Sequence, residues 1–399
     1  MKTFDVIVVG GGLIGSSIAF ELVARNLHVA IFDRQMPGRE ASWAAAGMLS
    51  PGPDSVEALP LVPLGKESLR LYPRFVSTVE EAAGGSVGFA QEGALEIFDN
   101  PGADSARDKL LGQYAELGLA AEPISFDSAR TAEPALNPNL GAIVWLPEEA
   151  TVDPRRLVDV TLLAAQRQGV EIFAEEPVTS ILAEAGRCTG IIANGSRIAA
   201  THVVIAAGSF CGGLSDGIDS SANSGLANSS AVRTALYAPT RPIRGQMIAM
   251  RPRTMQLKKV LRSHRGYLVP RADGRIIAGS TLENAGFDKN TTPEGLRSIF
   301  EAAITLAPSL ADAEIVESWA GLRPGSPDQL PIIGPTDIQG LLVATGHYRN
   351  GILLAPVTAK LICEWIVDGK TDFDTERFSP LRFSAASLQV SSTQTAHHS

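Results

Sequence analysis

The chain has 399 residues, 45% of them hydrophobic, with 34 basic and 43 acidic side chains for a net charge of −9. That length exceeds one ordinary core and calls for about two domains, and the acidic balance without a basic stripe argues against nucleic acid or an anionic membrane as main partner. Three cysteines, Cys188, Cys211 and Cys363, are odd in number and far apart, so no disulfide framework or thiolate zinc site is expected and a reducing, cytoplasmic setting is the default.

The first element is the β-branched run Val6, Ile7, Val8, Val9, read as a strand. Gly10, Gly12 and Gly15 follow in G-x-G-x-x-G spacing. Ile14, Ile18 and Leu22 then recur at helical spacing, and His28 to Phe32 forms a second strand that delivers Asp33. Gly10 permits a tight turn, Gly12 lets a pyrophosphate approach the backbone, and Gly15 lets the helix pack against the strand. The helix N-terminus offers N–H groups and partial positive charge to phosphates. Asp33, about 18 residues past Gly15, can accept from ribose hydroxyls. Strand, turn, helix and acid together point to an adenine dinucleotide. A signal peptide is a poor fit, because Asp5, the glycines and Glu21 interrupt the run. No stretch approaches the roughly 20 apolar residues of a membrane span.

Residues 50 to 150 mix helical stretches and short strands. Asp153 is a candidate N-cap with Pro154 at the first helical position. Leu157, Val160, Leu163 and Ala164 give that helix an apolar face, and Gly169 stops it. Val170 to Phe173, Val178 to Leu182 and His202 to Ala206 read as strands, the last running into the Gly208 turn. Residues 215 to 231 are rich in Ser, Asn, Gly and Ala and are expected to form a mobile surface loop. From 233 to 330 apolar and polar residues alternate, the pattern of an antiparallel sheet. Leu341 to Ala344 is a strand, Gly346 to Gly351 a turn, and Ile352 to Val367 a helix with Pro356 near its start. The Ser/Thr-rich stretch 384–399 is expected to be a disordered tail. The fold class is thus α/β, a Rossmann-like nucleotide-binding domain from residues 1–50, 151–232 and 331–383. An interleaved antiparallel-sheet substrate domain comes from 51–150 and 233–330.

Ligands of such sheets bind outside the carboxyl ends of the strands. The Gly10 turn, Ser42 to Leu49, the Gly208 turn and His347 to Leu353 arrive there. The stretches VVGGGLIGSSIAFEL, AAAGML, VVIAAGSF, YLVPR, WAGLRPGSPDQLPIIG and GHYRNGILLAP keep their order over residues 5 to 356. With them the chain resembles the D-amino-acid-oxidase-type flavoproteins, most of all the glycine oxidases associated with thiazole synthesis for thiamine. The resemblance implies non-covalent FAD. It matches Leu13 and Ile14 to the phosphate turn, and Asp33 and Arg34 to the ribose end. Ala41, Ser42, Ala46, Gly47 and Met48 match the stretch near pyrophosphate and isoalloxazine, and Val178 a backbone contact to adenine. His347, Tyr348, Arg349, Asn350, Gly351, Ile352 and Leu353 match the run facing the flavin ring. Ala41 stands where the family favours a hydroxyl residue. Arg323-Pro324-Gly325-Ser326 lacks the cysteine through which related sarcosine oxidases attach their flavin.

An amino-acid substrate presents a carboxylate, which Arg323 on its Gly-Leu-Arg-Pro turn can grip bidentately. The resemblance gives Arg323 that part, Tyr267 a hydrogen bond to the same carboxylate, Arg349 a place nearby and Met48 a place in the pocket wall. A histidine that some glycine oxidases carry near the tyrosine is replaced by Arg265, with His264 beside it. No metal spacing and no Ser-His-Asp arrangement is evident. No acid or base residue is required, since the flavin is the hydride acceptor. The expected partners are therefore a small amino acid and molecular oxygen. A D-amino-acid or N-methylglycine oxidoreductase, with oxygen or a quinone as acceptor, stays open. So does a flavoprotein that senses without turnover or belongs to an RNA-modifying enzyme. Homologous folds often assemble, and no motif here dictates a number of subunits.

Overall fold

The computed structural model describes residues 2–99, 102–214, 230–231, 237–254 and 256–383. The expected tail 384–399 and most of the expected loop 215–231 lie outside the described residues. Ser230–Ala231 forms a short strand paired with Leu182 and Ala183.

The N-terminal strand Thr3–Val9 sits inside a nine-stranded sheet. Val6, Ile7 and Val8 are fully buried, because parallel strands are covered on both faces. Val29–Phe32 flanks the strand on one side and Ser196–Ile205 on the other, both parallel to it. Glu171–Phe173 and Leu341–Thr345 extend the parallel set outward. The first crossover is the helix Leu13–Val23, with Ile18 and Leu22 fully buried. Pro154–Arg167 is capped as its sequence predicts: the Asp153 carboxylate accepts from the N–H groups of Arg155 and Arg156. Leu157 and Ala164 are buried, but Leu163 is 40% exposed and Thr161 takes a core position instead. The C-terminal helix starts at Ala355, three residues later than expected. Residues 351–354 form turns first, with Leu354 N–H bonded to the Asn350 carbonyl.

The strand Arg187–Ala193 was not expected. It runs antiparallel between Val178–Glu184 and Ser196–Ile205. Its two turns put Ala185-Gly186 and Asn194-Gly195 at positive φ, the conformation of tight hairpins.

The second sheet has eight strands, from residues 94–146 and 241–325. Its spatial order starts at Glu314–Gly325, passes through Arg241–Arg251 and Ile276–Gly279, and ends at Glu122–Ile124. It is antiparallel except at one junction, where Val260–Ser263 lies parallel to Ala94–Phe98. No hairpin joins those two strands, so no turn imposes their direction. The helix Val62–Ala83 departs from the expected division. It comes from the segment assigned to the substrate domain, yet Leu64, Tyr72, Phe75 and Val79 share a core with the helices of the parallel sheet.

Candidate active site

A cleft of about 840 Å³ opens at the carboxyl ends of the parallel strands, between the two sheets. That is the upper part of the usual range for small-molecule sites.

The glycine turn forms one wall. Gly10 takes φ +108°, and a Cβ there would lie 2.5 Å from the Ala206 carbonyl oxygen. A Cβ on Gly15 would lie 1.9 Å from the Gly10 oxygen. Internal packing alone demands glycine at both. Gly12 differs: its φ is −69°, and a Cβ would meet nothing nearer than Ser42 Oγ at 3.3 Å. The chain leaves that space empty, as a pyrophosphate needs. Gly11 N–H donates to Asp33 Oδ2 at 2.8 Å, and Gln35 N–H to Asp33 Oδ1 at 3.0 Å. Burial pushes the Asp33 carboxyl up, while those two N–H bonds and Arg34 oppose the shift. Leu13 N–H donates to Ser42 Oγ at 2.9 Å, so Ser42 caps the helix from outside and Leu13 does not offer its N–H to a phosphate. Among the described residues the N–H groups of Gly12 and Ile14 have no protein acceptor. Together with the helix dipole they form an anion site. Val178 and Gly208 line the same wall. Arg34 bonds Glu40 at 2.8 Å and stacks on Phe210, 3.4 Å from the ring centroid.

The segment Ala41–Met48 forms the second wall and lies in the cleft along most of its length. Four of the five carbonyl oxygens from Trp43 to Gly47 are taken by donors from elsewhere. Arg155 Nε donates to Trp43 (3.3 Å), Trp319 Nε1 to Ala44 (3.1 Å), Arg271 Nη2 to Ala46 (2.6 Å) and Val152 N–H to Gly47 (2.9 Å). Arg155 is itself held bidentately by Glu317 at 2.8 and 3.0 Å. The N–H groups of Ala45, Ala46 and Gly47 have no acceptor among the described residues. A donor sealed from water without a partner costs about 1–3 kcal/mol, so a ring filling this cleft must supply acceptors.

The third wall is His347 to Ile352. Tyr348 takes φ +50°, and its N–H donates to the Pro324 carbonyl at 3.0 Å, tying this turn to the strand that carries Arg323. His347 is 3% exposed, with Nε2 3.0 Å from Thr358 Oγ1. Burial drives its pKa down to about 3, so the imidazole is neutral at working pH.

Arg323 reaches the cleft from the second sheet. Its guanidinium donates to neutral oxygens: the Thr281 carbonyl at 3.2 Å, the Arg244 carbonyl at 3.4 Å and Ser280 Oγ at 2.6 Å. No carboxylate pairs with it among the described residues. Burial lowers its pKa, Tyr267 opposes that shift and the like charge of Arg349 adds to it. A sequestered cation without a counter-ion is costly, and an incoming carboxylate removes that cost. Tyr267 donates to Met247 Sδ at 3.3 Å, a weak acceptor it can exchange for a better one. Met48 lines the cleft and, like Tyr267 and Trp319, packs against a core that includes Met247 and Ala249. Arg349 sits toward the mouth, 3.4 Å from Asp54, both side chains about 40% exposed.

Beyond Tyr267 the cleft continues past Glu96, Gln113, Tyr114, Arg262, His264 and Arg265. Arg262 bonds Glu96, Glu149 (3.1 Å) and Ser50 (2.8 Å). Burial works against its charge, but the flanking Glu149 and Glu96 carboxylates prevail and raise its pKa. His264 and Arg265 share Asp99 at 3.1 and 2.9 Å.

Of the residues singled out from sequence, Gly15 and Leu353 do not reach the cleft. Gly15 packs beneath the turn, and Leu353 is 3% exposed in the core, its carbonyl accepting from Ser68 Oγ. Ser280 went unnoticed because nothing local marks it, and Arg271 and Trp319, though inside the stretches YLVPR and WAGLRPG, carried no assigned role because their contacts with Ala46 and Ala44 form only in the fold. Cys211 is fully buried and its thiol is pushed up to about 12, which removes it as a nucleophile. Among the described residues there is no cluster of three His, Cys, Asp or Glu to hold a metal, and no helix long and apolar enough to cross a membrane.

A family model described as "FAD dependent oxidoreductase" matches residues 5–365. The bifunctional protein ThiO/ThiG of Trichormus variabilis is 34% identical over all of this chain. The chain spans 57% of that relative's length. The glycine oxidase of Pseudomonas putida is 31% identical over 94% of this chain and 98% of its own. The crystal structure of glycine oxidase from Geobacillus kaustophilus superposes with a TM-score of 0.86 at 30% identity, covering 96% of this chain and 99% of that one.

Proposed function

The chain belongs to the FAD-dependent oxidoreductase family, and from that premise we propose that it oxidises glycine to the imine, which water converts to glyoxylate and ammonia. When bound, FAD would supply the hydride acceptor and the route by which the electron pair reaches oxygen as hydrogen peroxide. Gly12 and Ile14 bind the pyrophosphate, with Asp33 at the ribose. Arg323 grips the glycine carboxylate, Tyr267 turns its hydroxyl from Met247 to the same group, and Met48 closes the pocket. Positioning is the main contribution of these side chains. The amine enters neutral, having lost its proton to water, so no residue need act as base. His347 stays neutral and holds the turn through Thr358.

The observation that carries this reading is Arg323, a charged side chain in the cleft whose hydrogen-bond partners among the described residues are uncharged oxygens. Anaerobic glycine should bleach the flavin of the purified protein. A holoprotein that stays yellow under those conditions overturns the proposal. In Arg323→Leu the lost charge-assisted clamp is worth roughly 2–4 kcal/mol, a fall of about 30- to 1,000-fold in kcat/KM with flavin content unchanged. Wild-type turnover in that variant rejects Arg323 as the clamp.

A second reading keeps the chemistry and enlarges the substrate. The continuation of the cleft past Tyr267 supports a reading in which an N-methyl group or a D-side chain is accommodated there. Peroxide and dye-reduction rates with glycine, sarcosine, D-alanine and D-proline, measured side by side, separate the two and identify the acceptor. The resemblance to thiamine-associated glycine oxidases supports a place upstream of thiazole assembly, where the imine is consumed before it hydrolyses.

A further inference from the structure

The peptide units of Trp43–Gly47 are fixed from behind. In a trans peptide the C=O of one residue and the N–H of the next point in opposite directions. Trp319 Nε1 draws back the Ala44 carbonyl and thereby turns the Ala45 N–H the other way. Arg271 Nη2 does the same to the Ala46 carbonyl and the Gly47 N–H. Ala45 and Gly47 are alternate residues, both line the cleft, and neither N–H has an acceptor among the described residues. The result is a pair of preset donors, arranged like those that receive developing negative charge in acyl-transfer sites.

Arg271 also brings charge. It comes from the end of the strand Gly266–Pro270 and, among the described residues, meets no carboxylate within bonding distance. Burial brings its pKa down to about 10, with the Asp153 carboxylate the strongest opposing influence, so it stays protonated at neutral pH. Arg155, by contrast, is neutralised by Glu317.

We propose that Arg271 is a positioning residue for the flavin: through the Ala46 carbonyl it presents the Gly47 N–H, beside the Ala45 N–H presented by Trp319, to the electron-rich edge of the bound ring. Its positive charge behind that edge, bonded to no carboxylate among the described residues, favours the reduced, more negative flavin. This rests on the family reading of the cleft and concerns residues that do not touch the substrate.

The test is apoprotein reconstitution with FAD, followed by dye-coupled measurement of the flavin midpoint potential, both without any amine present. R271M should bind FAD at least tenfold more weakly and show a more negative potential. R271K should recover part of both. W319F removes a donor but no charge, so it should weaken FAD binding and leave the potential near that of the wild type. A folded R271M with wild-type affinity and potential overturns the proposal. Should R271M fail to fold, wild-type values in both R271K and W319F overturn it equally. A wild-type holoprotein inert toward glycine would count against the proposed activity alone.

Discussion

Gly12 and Gly15 answer to different forces, although the motif treats them alike. A methyl at Gly15 drives into the Gly10 carbonyl, a strain of about 1–3 kcal/mol that the backbone must absorb. A methyl at Gly12 meets only open cleft and a hydroxyl. Gly15→Ala should therefore lower the melting temperature of the apoprotein, whereas Gly12→Ala should melt normally and bind FAD poorly. Thermal melts of both apoproteins beside FAD titrations check the pair, and equal melting losses would refute the distinction. His347 gives a pH signature. Its folded pKa of about 3 lies below the ordinary histidine value of 6.5, so only the unfolded chain takes up a proton between those limits. Its contribution is complete above about pH 6.5 and declines as pH falls toward 3, by at most about 1.4 kcal/mol per pH unit. His347→Gln should flatten that part of the urea-stability profile relative to wild type. The glycine turn was legible because its spacing is a backbone requirement carried by one short segment. The loss of Leu13 N–H to Ser42 was not, since the two lie 29 residues apart and meet only in the fold.

Among the elements, the helix Val62–Ala83 does more than cover the parallel sheet. Tyr72 donates to the Ile352 carbonyl at 2.9 Å, and Ser68 to that of Leu353, so this helix supports the turn that forms the third wall of the cleft. Tyr72 is fully buried, and Tyr72→Phe strands the Ile352 carbonyl without a partner from that side chain. The expected cost is about 1–3 kcal/mol, read as a lower urea midpoint, with weaker flavin retention if the turn relaxes. An unchanged midpoint would mean that another donor replaces the phenol. The placement of this helix could not be read from its own pattern, because an amphipathic face states that it is buried and not against what. The strand Arg187–Ala193 could have been read: Asn194-Gly195, following Ile191-Ile192 and preceding the stretch that holds Ile198, is a hairpin signal. The parallel junction between Ala94–Phe98 and Val260–Ser263 had no such marker, because no turn joins them.

At the scale of the molecule, the cleft is made by two sheets that meet along Ala41–Met48. Arg155, Trp319 and Arg271 cross from both sides to hold that seam. A ligand that fills the seam binds only the folded form, so FAD at about 100 times its Kd should add roughly 2.7 kcal/mol of stability. A melting temperature indifferent to added FAD would show that the nucleotide does not sit there. The α/β class and the order of segments were legible because each parallel strand and its helix are local in sequence. The pairing partners were not, because Thr3–Val9 lies between Val29–Phe32 and Ser196–Ile205, and the latter in turn abuts Leu341–Thr345. That braid has a consequence during synthesis. As the chain leaves the ribosome, Thr3–Val9 has one neighbour early but waits for some two hundred residues to gain its second. The sheet closes only after position 345 has emerged. Until then a long apolar ribbon stays open to mispairing, and its protection must come from chaperones or from the pace of translation.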